Sequence, residues 1–321
     1  MTSRTGSALR RCRADFPVHK GGGRREKKIG MIGIGSMGKP MAMNLLKAGY
    51  PLTVYVRNPL VKKEVADAGG KSAGSIAELA AGAEVLITIL PADREIIEVY
   101  TSENGLIDHL PDGAVCLEMT SARGETVREI AVCAQKRGKK IDFIDAPVSG
   151  GVPGAQSGTL TIMAGGERGL IDAFMPLLQT LGSKIIYTGA LGSGKSVKMI
   201  NQFLNAANTC IAAEALHLAG DMGLDMDILC SVVNESSGGS WIFKNNVPKF
   251  MIPGKFEQGF RLELMKKDLS LSLEQAYRDN LSLPLLNLIF QIYQAMCNQG
   301  HATENYNVVS RFVQGLNRKA E

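Results

Sequence analysis

Six residues constrain this chain more than any others. Gly33-Ile34-Gly35-Ser36-Met37-Gly38 places glycine first, third and sixth, inside and just after the apolar run at 29–34. So short an apolar run suits a strand buried on both faces. Residues 38–48 suit a helix, which Gly49 would stop. Between the two, Gly33 permits a tight turn, Gly35 lets backbone approach a pyrophosphate, and Gly38 lets the helix pack on the strand. The amides of a helix N-terminus favour an anion. A glycine-rich turn alone is common. The strand before it and the helix after it make it a dinucleotide-binding pattern.

The first half of the chain keeps that rhythm. Residues 52–56, 85–90, 115–119, 143–146, 159–164 and 185–188 read as strands. Ser75-Ile-Ala-Glu78 is a capping box that opens a helix, and 126–137 reads as another. A glycine-rich loop is expected after residue 146. This alternation implies a largely parallel sheet with helices on both faces. Beyond about residue 190 the strand signals stop. Residues 193–222 lack Pro and are rich in Ala, Leu, Asn and Met, consistent with one helix on the order of 45 Å long. Residues 225–234, 262–276, 284–297 and 304–312 read as further helices. The expected architecture is an α/β Rossmann-type dinucleotide-binding domain over residues 28–190, then an all-α domain over 191–321. A basic, flexible tail covers residues 1–27.

Charge does not point to a polyanionic partner. The chain carries 36 Lys and Arg against 31 Asp and Glu, net +5. Through residue 28 there are nine basic and two acidic residues, net +7, which leaves the body at −2. No nucleic-acid partner is expected, and no apolar run reaches the length of a membrane span. The tail reads best as an extension outside the functional unit. A transit peptide is the weaker reading, because Gly21-Gly22-Gly23 interrupts it and it lacks an amphipathic stripe. The six cysteines are scattered and the four histidines lack ligand spacing. Neither disulfides nor a metal is expected, and a reducing, cytoplasmic setting fits.

The end of the second strand bears on cofactor choice. An acid there would bind ribose hydroxyls, whereas Arg would pair with a 2′-phosphate. The sequence reads Val54-Tyr55-Val56-Arg57-Asn58-Pro59, with no acid. Arg57 and Asn58 therefore favour NADP(H), with NAD(H) possible.

Two more segments carry chemistry. One runs Asp145-Ala-Pro-Val-Ser149-Gly150-Gly151-Val-Pro-Gly-Ala-Gln-Ser-Gly158-Thr-Leu-Thr. The other is Gly192-Ser-Gly194-Lys195-Ser-Val-Lys198-Met-Ile-Asn201-Gln202. Lys198, Asn201 and Gln202 are spaced i, i+3 and i+4 and share one helix face. Gly192 and Gly194 would leave the start of that helix uncluttered for a flat cofactor. Ser149 and the amides of Gly150 and Gly151 can receive a carboxylate. On spacing alone, Lys195 and Lys198 cannot be ranked as the proton carrier.

Together with Gly33 to Asn44, these segments closely resemble the β-hydroxyacid dehydrogenase family, from about residue 28 to near the C-terminus. The resemblance implies an oxidoreductase that interconverts a small hydroxycarboxylate and its semialdehyde or β-keto acid with a nicotinamide cofactor. It selects Lys198, three residues before Asn201, as the catalytic lysine. Asn201 orients the substrate hydroxyl, and Gln202, Ser149, Gly150 and Gly151 bind substrate. Gln202 departs from the Asn-Asn pair of many members. Leu90, Pro91, Ser121 (with Thr120 as the adjacent alternative) and Lys267 carry over as cofactor contacts. Trp241 is a candidate border of the substrate pocket. A homodimer or homotetramer is implied. Two rivals are an imine reductase on the same scaffold, whose members lack this lysine, and a non-catalytic dehydrogenase-like module.

Overall fold

The computed structural model describes residues 27–257 and 259–317. The basic tail through residue 26 lies outside them. The chain begins β1 (Ile29–Ile32), α1 (Gly38–Lys47), β2 (Leu52–Tyr55), α2 (Pro59–Asp67), β3 (Lys71–Ser72) and α3 (Ile76–Ala81). It continues β4 (Val85–Thr88), α4 (Asp93–Thr101), α5 (Leu106–His109), β5 (Val115–Glu118), α6 (Gly124–Lys136) and β6 (Asp142–Asp145). The edge of the sheet is completed by β7 (Val148–Ser149), α7 (Gly151–Ser157), β8 (Leu160–Gly165), α8 (Arg168–Ala173), α9 (Met175–Leu181) and β9 (Gly182–Gly189).

The strand order β3-β2-β1-β4-β5-β6 is parallel throughout. This is the doubly wound order of a dinucleotide-binding fold. β8 runs antiparallel to β6 and β7, and β9 runs parallel to β8. Alternation along each strand divides the core. Ile29, Met31, Val85, Ile87, Val115 and Leu117 enter one layer with Met41 and Leu45 of α1. Ile32, Leu86 and Cys116 point to the other, against Leu79, Ile96 and Ile130. A strand buried on both faces needs apolar residues at every position, which is why these runs do not alternate with polar ones.

The capping box forms in modified shape. Ser75 Oγ accepts from the Glu78 amide at 3.1 Å, and Glu78 Oε2 reaches past the cap to the Gly74 amide at 2.7 Å. The expected loop after residue 146 is instead β7 followed by a short helix. Gly150 (φ +129°) and Gly158 (φ +68°) let the chain enter and leave α7, and Asn44 Nδ2 donates to Ala155 O at 2.7 Å.

The helical half opens with α10 (Ser193–Asp221), 29 residues, or about 43 Å at the α-helical rise. It packs across β8 and β9 and then against most later helices. Those are α11 (Met226–Asn234), α12 (Trp241–Asn245), α13 (Leu262–Arg278), α14 (Pro284–Met296) and α15 (Ser310–Leu316). Asp225 is the cap of α11 rather than its first residue, accepting from the Asp227 and Ile228 amides at 2.9 Å. The single helix expected at 304–312 is a 3-10 turn, Tyr306–Val309, running into α15. Among the described residues no helix is long and apolar enough to cross a membrane, and the five cysteines are free thiols.

Candidate active site

The loops leaving the carboxyl ends of β1, β2, β4 and β5 line one edge of the sheet. They carry Gly33–Gly38, Arg57–Asn58, Leu90–Pro91 and Thr120–Ser121 respectively. β1 and β4 are neighbours whose connections leave in opposite directions, the place where such sheets bind ligands. The three glycines differ in what they do. A Cβ on Gly33 (φ +96°) would lie 2.0 Å from Ile89 O, and one on Gly38 would lie 1.9 Å from Gly33 O. A Cβ on Gly35 would meet nothing within 4 Å. Gly33 and Gly38 thus serve the protein's own packing, while the space at Gly35 is open to a ligand. No side chain caps α1, and its first turn holds no acid. The backbone from Gly33 through Ile34, Gly35, Ser36 and Met37 to Gly38 therefore suits a pyrophosphate.

Arg57 is exposed just past β2, and no described acid is within ion-pair distance of it. Asn58 spends its carbonyl oxygen on the cap of α2, accepting from the Leu60 amide at 2.9 Å. Thr120 is the more buried of the two hydroxyl candidates. Its Oγ1 accepts from the Leu90 amide at 2.8 Å, tying the β5 loop to the β4 loop. Ser121, half-buried beside it, keeps its hydroxyl free of described partners. Its carbonyl accepts from Lys267 Nζ at 2.5 Å, a bond across the two halves.

Lys198 lies on the second turn of α10, 6% exposed. Its Nζ donates to Gln202 Oε1 at 3.0 Å, and Asn201 Nδ2 reaches the same oxygen at 3.3 Å. Gln202 Nε2 donates to Asp268 Oδ2 at 2.8 Å, and Asp268 Oδ1 is 2.8 Å from Lys267 Nζ. Burial pulls Lys198 down to about 8; Asp268 opposes this and Lys267 adds to it. An amine at that value exchanges protons near neutral pH, as a general acid-base group must. Gln202, expected to bind substrate, has both ends of its amide engaged inside the protein.

Lys195 resolves differently from its neighbour. Its ammonium is fully buried, ion-paired with Glu118, and donates to Thr120 O at 2.7 Å. Asp145, at the end of β6, accepts from the Gly192 amide at 2.6 Å and the Lys195 amide at 2.9 Å, capping α10 from the sheet. Burial raises the Asp145 carboxyl despite those bonds. Gly192 and Gly194 do not clear space for a cofactor. A Cβ on Gly192 would lie 2.5 Å from Gly124 O, and one on Gly194 2.2 Å from Met163 O. They let α10 sit tightly on α6 and β8. Glu118 ends an otherwise apolar strand and escapes a motif reading, and the sequence motif that begins at Asp145 does not reveal its capping role.

Ser149 ends β7, paired with Thr161 of β8. Gly150 and Gly151 (φ +129° and +61°) start α7, which no side chain caps. Trp241 is not brought to the Lys198 cluster. It opens α12, two-thirds exposed, with no aromatic or cation–π partner among the described residues.

An open turn suited to a pyrophosphate after β1, and a buried lysine drawn down to about 8 on α10, fit a nicotinamide-dinucleotide-dependent oxidoreductase. Family models agree. The NAD binding domain of 6-phosphogluconate dehydrogenase matches residues 28–189, and the NAD-binding domain of NADP-dependent 3-hydroxyisobutyrate dehydrogenase matches 192–313. Mouse mitochondrial 3-hydroxyisobutyrate dehydrogenase is 38% identical over 291 residues, covering 89% of this chain and 86% of its own. The 2-(hydroxymethyl)glutarate dehydrogenase of Eubacterium barkeri is 35% identical over 285 residues, covering 88% and 93%. Among solved structures, Mycobacterium tuberculosis 3-hydroxyisobutyrate dehydrogenase with L-serine superposes with TM-score 0.83 at 30% identity, covering 90% of this chain and 99% of that one. The chain belongs to the β-hydroxyacid dehydrogenase family.

Proposed function

We propose that this enzyme oxidises a primary alcohol β to a carboxylate, reversibly, to the semialdehyde, with NADP(H) preferred over NAD(H). Lys198 carries the reading: a buried lysine drawn down to about 8, one turn from Asn201, suits a proton shuttle. The names of the relatives give the substrate class. 3-Hydroxyisobutyrate, 2-(hydroxymethyl)glutarate and L-serine all present a hydroxymethyl group on the carbon that bears a carboxylate.

The roles follow from the chemistry. Ser149 and the Gly150 and Gly151 amides receive the carboxylate. Asn201 orients the hydroxyl and Lys198 takes its proton. In the reverse direction the Lys198 ammonium returns that proton to the carbonyl oxygen. The nicotinamide, when bound, accepts or returns the hydride. Gly33 through Gly38, Leu90, Pro91, Ser121 and Lys267 hold the cofactor, and Arg57 with Asn58 faces its 2′-phosphate. Residues 28–190 form the dinucleotide-binding unit and 191–321 the substrate and oligomerisation unit. The imine-reductase alternative has no use for Lys198, and a binding module has no use for a lysine drawn down toward neutrality.

The reading includes a homo-oligomer, because α10 and α11 expose Ile200, Ile211, Leu218 and Ile228. Ile211→Glu with Leu218→Glu should lower the mass measured by light scattering to that of one chain. An unchanged mass would remove that face from the assembly. The reading also places the enzyme in the cytoplasm, a reducing setting that suits free thiols, and recovery of the chain from an organelle would overturn it. The enzymatic test is NADPH consumption with a panel of C3–C6 semialdehydes. Turnover of at least one is expected, and turnover of none sinks the assignment.

A further inference from the structure

Gln202 stands at the centre of a continuous polar chain that links the two halves of the molecule. Ser121 O meets Lys267, Lys267 meets Asp268, Asp268 meets Gln202, and Gln202 meets both Lys198 and Asn201. Gln202 is 4% exposed and Asp268 is 2% exposed. We propose that Gln202 is a positioning residue: Asp268 dictates which way its amide faces, and the amide then aims Lys198 and Asn201 at the reacting carbinol.

An amide is ambivalent, offering an acceptor at one end and donors at the other. An ionised Asp268 can only accept, so it takes the Nε2 end. That turns Oε1 toward Lys198 and Asn201, both of which donate. Reversal of the amide would set donor against donor at Lys198 and acceptor against acceptor at Asp268. With the amide locked, one oxygen fixes two side chains that must act on the same hydroxyl. Catalysis is sensitive to such placement, because an ångström of error can cost about 100-fold.

The neutrality of the amide matters as much as its direction. Lys198 faces Gln202 and Asn201 on its own helix, and Lys267 and Asp268 from α13. On the sheet side, Lys195 is neutralised by Glu118, and Asp145 is occupied by the α10 cap. Gln202 thus holds the ammonium by a hydrogen bond without adding a negative charge that would keep it protonated. A carboxylate at this position would supply that charge.

The inference rests on the dehydrogenase reading for its effect on turnover, and its decisive measurement does not need turnover. The rate at which Lys198 is acylated by trace acetic anhydride is followed against pH on the full chain. Fragment mass spectra distinguish Lys198 from Lys195. The wild-type midpoint is expected near 8. In Gln202→Glu it should rise by about one unit or more, as a new opposite charge at hydrogen-bond distance dictates. In Gln202→Met, kcat should fall about 10- to 100-fold with the KM for NADPH within about twofold. An unmoved midpoint in Gln202→Glu overturns the proposal. So does a Gln202→Met enzyme with normal kcat and a raised KM for hydroxyacid, which would make Gln202 a substrate ligand. A wild type that turns over no substrate sinks the dehydrogenase reading but leaves the labelling result to decide Gln202.

Discussion

The α/β half buries both faces of its sheet, and its only exposed large apolar side chains among the described residues are Leu60, Val132, Ile186 and Tyr187. The helical half exposes many more, including Ile200, Leu204, Ile211 and Leu218 on α10 and Leu285 and Leu288 on α14. α11 buries none of its nine residues. Contiguous exposed apolar surface marks an interaction face. One half is therefore finished by its own chain, while the other is left unfinished, with the apolar face that the proposed oligomer would cover. The proposed reacting side chains sit where the two meet, on a helix that belongs to the unfinished half but is capped by the finished one.

The largest effect should come from the helical side of that junction. Lys198→Ala should lower turnover by about 10²–10⁴ in either direction, the usual range for a lost acid-base group. Measured kcat close to wild type would place the proton elsewhere. The pH profile sharpens this. Oxidation needs the neutral amine, so it should rise as pH increases through about 8. Reduction needs the ammonium and should fall over the same interval. Parallel profiles in the two directions would contradict the assignment.

Next comes the joint itself. Glu118→Leu strands the buried Lys195 ammonium and should cost about 3–5 kcal/mol in urea unfolding. Glu118→Leu with Lys195→Met should restore much of that loss, because two apolar groups need no partner. A small penalty in the single variant would show that the halves are held together by other contacts. The smallest effect belongs to the finished half alone. Arg57→Ala should weaken NADPH by about 1.5–3 kcal/mol, the worth of a hydrogen bond to a charged group. The KM for NADH should stay put, and equal shifts for the two cofactors would refute the role of Arg57.

Much of this was legible in the sequence, for physical reasons. Doubly buried strands announce themselves as short apolar runs, and the Gly33–Gly38 turn has one structural solution. The spacing of Lys198, Asn201 and Gln202 did put them on one face. What the sequence could not decide was which side of that face each residue served. Lys195 and Lys198 are three residues apart with similar flanks, yet one is committed to Glu118, 77 positions upstream. Gly192 and Gly194 looked like clearance for a ligand and are clearance for Gly124 and Met163. Asp145 and Asp268 gain meaning only from partners far away in the chain. Long-range pairing of single polar groups leaves no period to read.

Gly35 has a consequence for how such an enzyme can decay. Its neighbours Gly33 and Gly38 are enforced by the protein's own backbone, so a side chain at either would be eliminated with the fold. A Cβ at Gly35 meets no described atom within 4 Å, so there the proposed pyrophosphate contact, and not the fold, would be the constraint. Drift at this one site would yield a well-packed chain whose proposed phosphate turn is obstructed. Screens for abundance or thermal stability would pass it as healthy.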